Sequence, residues 1–145
     1  MTRLETQAAL AAILSDPELL RAHAPALARR VAAGIMEVPG AIVLGDIDGM
    51  MVFYPEGEGS YDSHYLFPPW ARGRDLLQRT RVFLRGMFSG GARRISGETP
   101  IGNLPARRIN RTLGAVPAGE CVNSEGQKCI RYVLTREMFE RSVVK

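Results

Sequence analysis

The stretch Ser60-Tyr-Asp-Ser-His-Tyr-Leu-Phe67, with the turn Pro68-Pro-Trp-Ala-Arg-Gly-Arg74 and the run Asp75 to Phe88 behind it, decides the fold. Period-two alternation in the first segment puts Tyr61, Ser63, Tyr65 and Phe67 on one face of a strand, and Ser60, Asp62, His64 and Leu66 on the other. From Asp75 the period changes. Leu76, Leu77, Thr80, Phe83, Leu84, Met87 and Phe88 recur at helical spacing, while Arg74, Gln78, Arg79, Arg81 and Arg85 face elsewhere. Gly90-Gly91 stops this helix, because glycine accepts the left-handed geometry of a C-terminal cap. A short strand at Arg93 to Ser96 follows, then a second helix, Leu104–Leu113, with Asn103 as N-cap, Pro105 in its first turn and Gly114 past its end. A helix crossing between two strands makes them parallel.

Working outward, Asp48-Gly49 is a hairpin signal between strands Ala41 to Ile47 and Met50 to Tyr54, and Pro55 to Gly59 reads as a short, acidic, flexible loop. On the other side, Ala115 to Val122 and Lys128 to Leu134 form a hairpin about Asn123–Gly126. Cys121 and Cys129 stand equally far from Glu125 and so face each other across it. Thr135 caps a short terminal helical turn to Ser142 that carries Met138 and Phe139 inward. At the other end, Thr2 to Glu5 reads as a strand, Thr6 to Leu14 as a helix, and Ser15 with Glu18 as a capping box that starts a helix toward His23. Pro25 interrupts that helix, and a further helical piece reaches Gly34. The pattern is α+β, a mixed twisted sheet flanked by helices.

A chain of 145 residues, 46% hydrophobic and 23% charged, is enough for one soluble domain with its own core, residues 1–145. No apolar run has the length of a membrane span and the start has no signal-peptide pattern, which makes the cytosol the default location. Charge is uneven. Arg72 to Arg111 holds ten basic and two acidic residues, a net +8, against nine basic and thirteen acidic elsewhere, a net −4. Two solvated helix faces account for about half of these arginines. A nucleic-acid surface ranks low, because Trp70 and Phe88 alone make no stacking platform near them. Two cysteines with only His23 and His64 beside them make no zinc site, and metal chemistry is not expected.

Phe67-x-Pro69-x-x-Arg72-Gly73, and Asn103-x-x-Ala106 ending in Leu113-Gly114, resemble two motifs of the GNAT (Gcn5-related N-acetyltransferase) superfamily. The first is similar to the V-x-P-x-x-R-G that leads into the acetyl-CoA pyrophosphate loop, the second to the N-x-x-A … G-F of the following helix. Ser60-Tyr-x-x-His64 and Met87-Phe88 look most like a phage and prophage branch. The resemblance covers the middle third well and the flanks by order of elements. It implies a GNAT-like sheet of about six or seven strands, with a V-shaped splay between the two parallel middle strands. Three positions depart from the pattern: Asp75 and Leu77 stand where the loop usually has glycines, and Asn110 where the following helix usually has a tyrosine acid.

The resemblance further implies acetyl-CoA as co-substrate and an amine as acceptor. Leu66 and Phe67 would hold the pantetheine and thioester, and Arg72, Gly73, Arg74, Asp75, Leu76 and Leu77 the diphosphate, with Asn103 and Ala106 on the next helix. Arg72 and Arg74 offset the charge that Asp75 adds. For catalysis it points to His64 as base, Glu98 to orient water or the amine, and Asn110 to hydrogen-bond the thiol, with Tyr61 or Tyr65 as substitute acids. Against these stand plainer roles: His64 satisfied by Asp62 or Ser63 on the sheet, Glu98 as a loop carboxylate paired with Arg93 or Arg94, and Asn103 as a helix cap. A second class of function fits the same residues, a catalytically weak or inactive GNAT-like protein that binds a phage or host protein partner in morphogenesis, virion-associated if phage-encoded.

Overall fold

The computed structural model describes residues 39–46, 49–67, 74–123 and 126–144. Its elements are β1 (Ile42–Asp46), β2 (Gly49–Gly57), β3 (Ser60–Leu66), α1 (Arg74–Ser89), β4 (Arg94–Pro100), α2 (Leu104–Thr112), β5 (Val116–Val122), β6 (Lys128–Thr135) and α3 (Arg136–Val144). The strands form one mixed sheet in the order β1-β2-β3-β4-β6-β5. The strand and helices expected before Pro39, including His23, lie outside the described residues, as does the turn with Arg72 and Gly73.

β3 and β4 run parallel, as the crossing helix requires, and their register contains three pairs: Ser60↔Arg94, Tyr61↔Ile95 and Asp62↔Ser96. β4 continues to Pro100 and is held along its whole length by β6, from Arg94↔Thr135 to Pro100↔Cys129. This corrects the sequence expectation of a strand ending at Ser96. Gly97 is a poor strand former by itself, and the ladder to a strand more than thirty residues away overrides that preference.

The described residues fall into two compact units, divided within β2, within β3 and within α1. In the unit that contains β1, the β1–β2 register pairs Asp46 with Gly49, so the two-residue loop is 47–48, one residue earlier than the sequence suggested. Gly49 has φ +150°, and a Cβ there would lie 2.4 Å from Phe67 Cδ1. Close packing under that ring sets the register. Met50, Met51, Val52 and Phe53 are fully buried.

The other unit contains β4, α2, β5, β6 and α3. Gly57 belongs to β2, so the expected loop shrinks to a turn at Glu58 and Gly59. Pro55 is tolerated there because the ladder to β1 ends at Phe53, leaving that side of the strand without need of its N–H. Gly91 takes φ +109°, and Ala92 N–H donates to Met87 O at 3.0 Å, which closes α1. Phe88 and Phe139 pack with ring centroids 5.5 Å apart. Thr135 Oγ1 accepts from Met138 N–H at 3.3 Å, the cap read from the sequence, and it starts a helix of nine residues rather than a single turn.

Candidate functional site

In the first unit, His64 lies half-buried on β3, its ring edge-on to Tyr54 with centroids 5.5 Å apart. Beside it Tyr65 packs against Phe67, and burial pushes the Tyr65 hydroxyl up to about 12. Phe67 is buried against Phe83. Arg79, expected to face away from the apolar side of its helix, lies over both rings at 5.6 and 5.8 Å and donates to Gly49 O at 3.2 Å. A guanidinium is planar and weakly hydrated, so an aromatic pair with a nearby carbonyl is a good environment for it.

α1 starts at Arg74, whose side chain, like that of Leu66, lies outside the described residues. Asp75 is exposed in the first turn, and Leu76 and Leu77 are half-buried. The first N–H groups of a helix have no intrahelical acceptor, so the backbone of residues 74–77 suits an anion such as a diphosphate. An exposed Asp75 can keep its carboxylate in water.

In the second unit, serine hydroxyls bridge the end of the parallel ladder. Ser63 Oγ donates to Ser96 O at 3.0 Å, and Ser96 Oγ lies 3.4 Å from Tyr61 O, to which it donates. Arg131 Nη2 donates to Ser96 Oγ at 3.0 Å and to Glu56 Oε2 at 3.3 Å. Its Nη1 is 3.9 Å from Glu98 Oε1. Glu98 is thus a strand residue directly opposite Arg131, not a loop carboxylate, and it pairs with Arg131 rather than with Arg93 or Arg94. Ser63's hydroxyl is directed at Ser96, so of the two plain partners imagined for His64 it serves elsewhere.

Cys121 and Cys129 are register partners across β5 and β6, as their spacing implied, and both are free thiols. Burial pushes the Cys121 thiol up and the nearby Glu98 carboxylate adds to this; for Cys129 burial again comes first, then Glu98. Glu98 therefore pairs with a guanidinium and lies near two thiols.

α2 is built as expected. Asn103 Oδ1 accepts from Ala106 N–H at 3.2 Å, and Gly114 ends the helix at φ +95°. Asn110 is buried, and its Nδ2 donates to Thr99 Oγ1 at 2.9 Å. Neighbouring strand residues point to opposite faces, so α2 packs on the face opposite the Glu98 carboxylate. The structure does not bring Glu98 and Asn110 together.

Arg131, Ser96 and Glu56 escaped the sequence reading. The available signal was one arginine inside the apolar run Cys129-Ile-Arg-Tyr-Val-Leu134. Among the described residues, no three His, Cys, Asp or Glu side chains converge as a metal site, and no helix is long and apolar enough to cross a membrane.

The six-stranded mixed sheet, its helices and the parallel middle pair define the GNAT acetyltransferase fold. A structure described as an acetyltransferase from T. thermophilus superposes with TM-score 0.70 at 19% identity, covering 95% of this chain and 86% of that one. A chimeric spermidine N-acetyltransferase from Vibrio cholerae SpeG and hSSAT gives TM-score 0.71 at 14% identity, covering 97% and 95%. No family profile and no curated protein matches the sequence.

Proposed function

We propose that residues 1–145 form one acyltransferase domain that moves an acetyl group from acetyl-CoA to an amine. The observation that carries this is the three-pair parallel ladder of β3 and β4, with α1 crossing between them, in the fold shared with the acetyltransferases above. Beyond Asp62, β3 leads through Leu66 and Phe67 to the start of α1, where the N–H groups of residues 74–77, with Arg72 and Gly73 before them, suit the diphosphate. Asn103 and Ala106 supply the N-terminus of the next helix.

In the reaction, an acceptor ammonium gives up a proton, the free amine attacks the thioester carbonyl carbon, a C–N bond replaces the C–S bond, and the departing thiolate takes a proton. His64 is the base candidate on β3, and Glu98 the carboxylate that orients the amine or its water. Tyr65, protonated well beyond neutral pH, is a candidate proton donor to the thiolate. The spermidine enzyme among the similar structures makes a polyamine one acceptor to try first.

One observation favours a second reading. Asn110, at the position of the family's tyrosine acid, is buried and bonded to Thr99, as a structural amide would be. That fits a protein of the phage and prophage branch, in the host cytoplasm or on a virion, that binds a partner with little catalysis. Titration calorimetry with acetyl-CoA separates the two. Saturable binding with loss on replacing Arg72 and Arg74 supports the enzyme. No binding at millimolar acetyl-CoA sinks it and leaves the partner-binding protein.

A further inference from the structure

We propose that Arg131 is a positioning residue for the acyl transfer, an inference that rests on the acyltransferase reading above. Its guanidinium touches both the point where the parallel ladder ends and the carboxylate just beyond it. Ser96 is the last β4 residue paired with β3, and Arg131 Nη2 donates to its hydroxyl at 3.0 Å. That hydroxyl in turn donates to Tyr61 O, and Ser63 Oγ donates to Ser96 O, so side chains of three strands meet at one rung. The fit is tight: a Cβ on Gly97 would lie 3.2 Å from Ser63 Oγ.

Two residues past Ser96 on the same face, Glu98 lies opposite Arg131 and 3.9 Å from its Nη1. Glu56 Oε2 takes the other side of the guanidinium at 3.3 Å. These bonds direct the planar fork along a fixed line, with Ser96 and Glu56 on one nitrogen and Glu98 on the other. A lysine has a single nitrogen and cannot reproduce that spread. The contact to Glu98 is long and half-exposed, so it contributes little to stability. Its consequence is directional: it biases the Glu98 carboxylate toward Arg131 and the end of the parallel ladder. Glu98 would then accept the acceptor amine's proton, or orient the water that does, from beside the end of that ladder.

The test uses the full chain with acetyl-CoA and spermidine, turnover being normalised to the folded fraction from thermal unfolding. Arg131→Ala is expected to lower kcat ~10–100-fold while the calorimetric Kd for acetyl-CoA moves less than ~3-fold. Arg131→Lys, which keeps the charge and loses the fork, should restore less than about a tenth of wild-type kcat. Glu98→Gln should lower kcat similarly, and in the Arg131→Ala background should cost less than ~3-fold more, because the two act through one carboxylate. Should Arg131→Ala fail to fold, Ser96→Ala keeps the charge and removes the link, with an expected ~3–10-fold loss in kcat. The proposal is overturned by wild-type kcat in Arg131→Ala, by full rescue with lysine, or by multiplicative losses in the double variant. Wild-type protein that binds no acetyl-CoA overturns the acyltransferase reading first, and this inference with it.

Discussion

Asn110 Nδ2 donates to Thr99 Oγ1 at 2.9 Å, and both residues are buried, so a single amide–hydroxyl bond ties α2 to the C-terminal end of β4. Removing either partner leaves the other buried without it. Asn110→Ala and Thr99→Val are each expected to cost about 1–3 kcal/mol, and the double variant less than the sum of the two. Urea unfolding of the four proteins measures the coupling. Additive losses would show that the bond contributes nothing specific.

Gly49 and Gly91 both need positive φ but differ in surroundings. Gly91→Ala meets open space, so only the backbone term applies, about 1–2 kcal/mol. Gly49→Ala adds a Cβ 2.4 Å from Phe67 Cδ1, and overpacking should bring its total to about 2–5 kcal/mol. Chemical denaturation of the two variants side by side checks the order. Equal losses would mean that Phe67 moves aside freely.

Arg79 stacks on Phe67 and Phe83 and holds Gly49 O. Arg79→Ala is expected to destabilise by about 1–3 kcal/mol, combining the cation–π contacts with the lost hydrogen bond. Arg85→Ala, on an exposed position of the same helix, should change stability by less than about 0.5 kcal/mol. Thermal unfolding distinguishes them, and equal effects would return Arg79 to the solvated face.

Tyr65 predicts the alkaline limb of stability. Burial pushes its hydroxyl from the ordinary 10.0 up to about 12. The folded protein keeps the phenolic proton where the unfolded chain has lost it, so the contribution is complete below pH 10 and disappears as pH rises toward 12. The size is about 2–3 kcal/mol to order of magnitude. Tyr65→Phe should flatten that stretch of a stability–pH curve, which denaturation at pH 9, 10 and 11 would record. An unchanged slope would place the loss on other groups.

Asn103 is both helix cap and cofactor candidate. Asn103→Ala should cost about 0.5–2 kcal/mol, and Asn103→Gly only a few tenths. If acetyl-CoA affinity follows stability across the two variants, its role is the cap. Affinity lost equally in both, with Asn103→Gly still stable, would assign it to the ligand.

What the sequence determined by itself is the set of features encoded locally. The period change between Phe67 and Leu76, the Gly90-Gly91 stop, the Asn103 and Thr135 caps and the Asn123–Gly126 turn all depend on residues within a few positions of one another. Chain connectivity then made β3 and β4 parallel. Even the facing of Cys121 and Cys129 followed from a hairpin's symmetry about its turn. Tertiary structure decided what depends on partners distant in sequence. β4 reaches Pro100 because β6 supplies its ladder, and β2 reaches Gly57 because the turn to β3 comes later than a Pro-Gly-rich stretch suggests. Gly49 shifts its hairpin by one residue because the Phe67 ring lies over it. Arg79 leaves the solvent for two rings, and Glu98 changes from a loop carboxylate to the partner of an arginine thirty-three positions on. A charged side chain takes its role from whichever opposite charge, carbonyl or aromatic face the fold brings within a few ångströms, and periodicity along the chain carries no information about that distance.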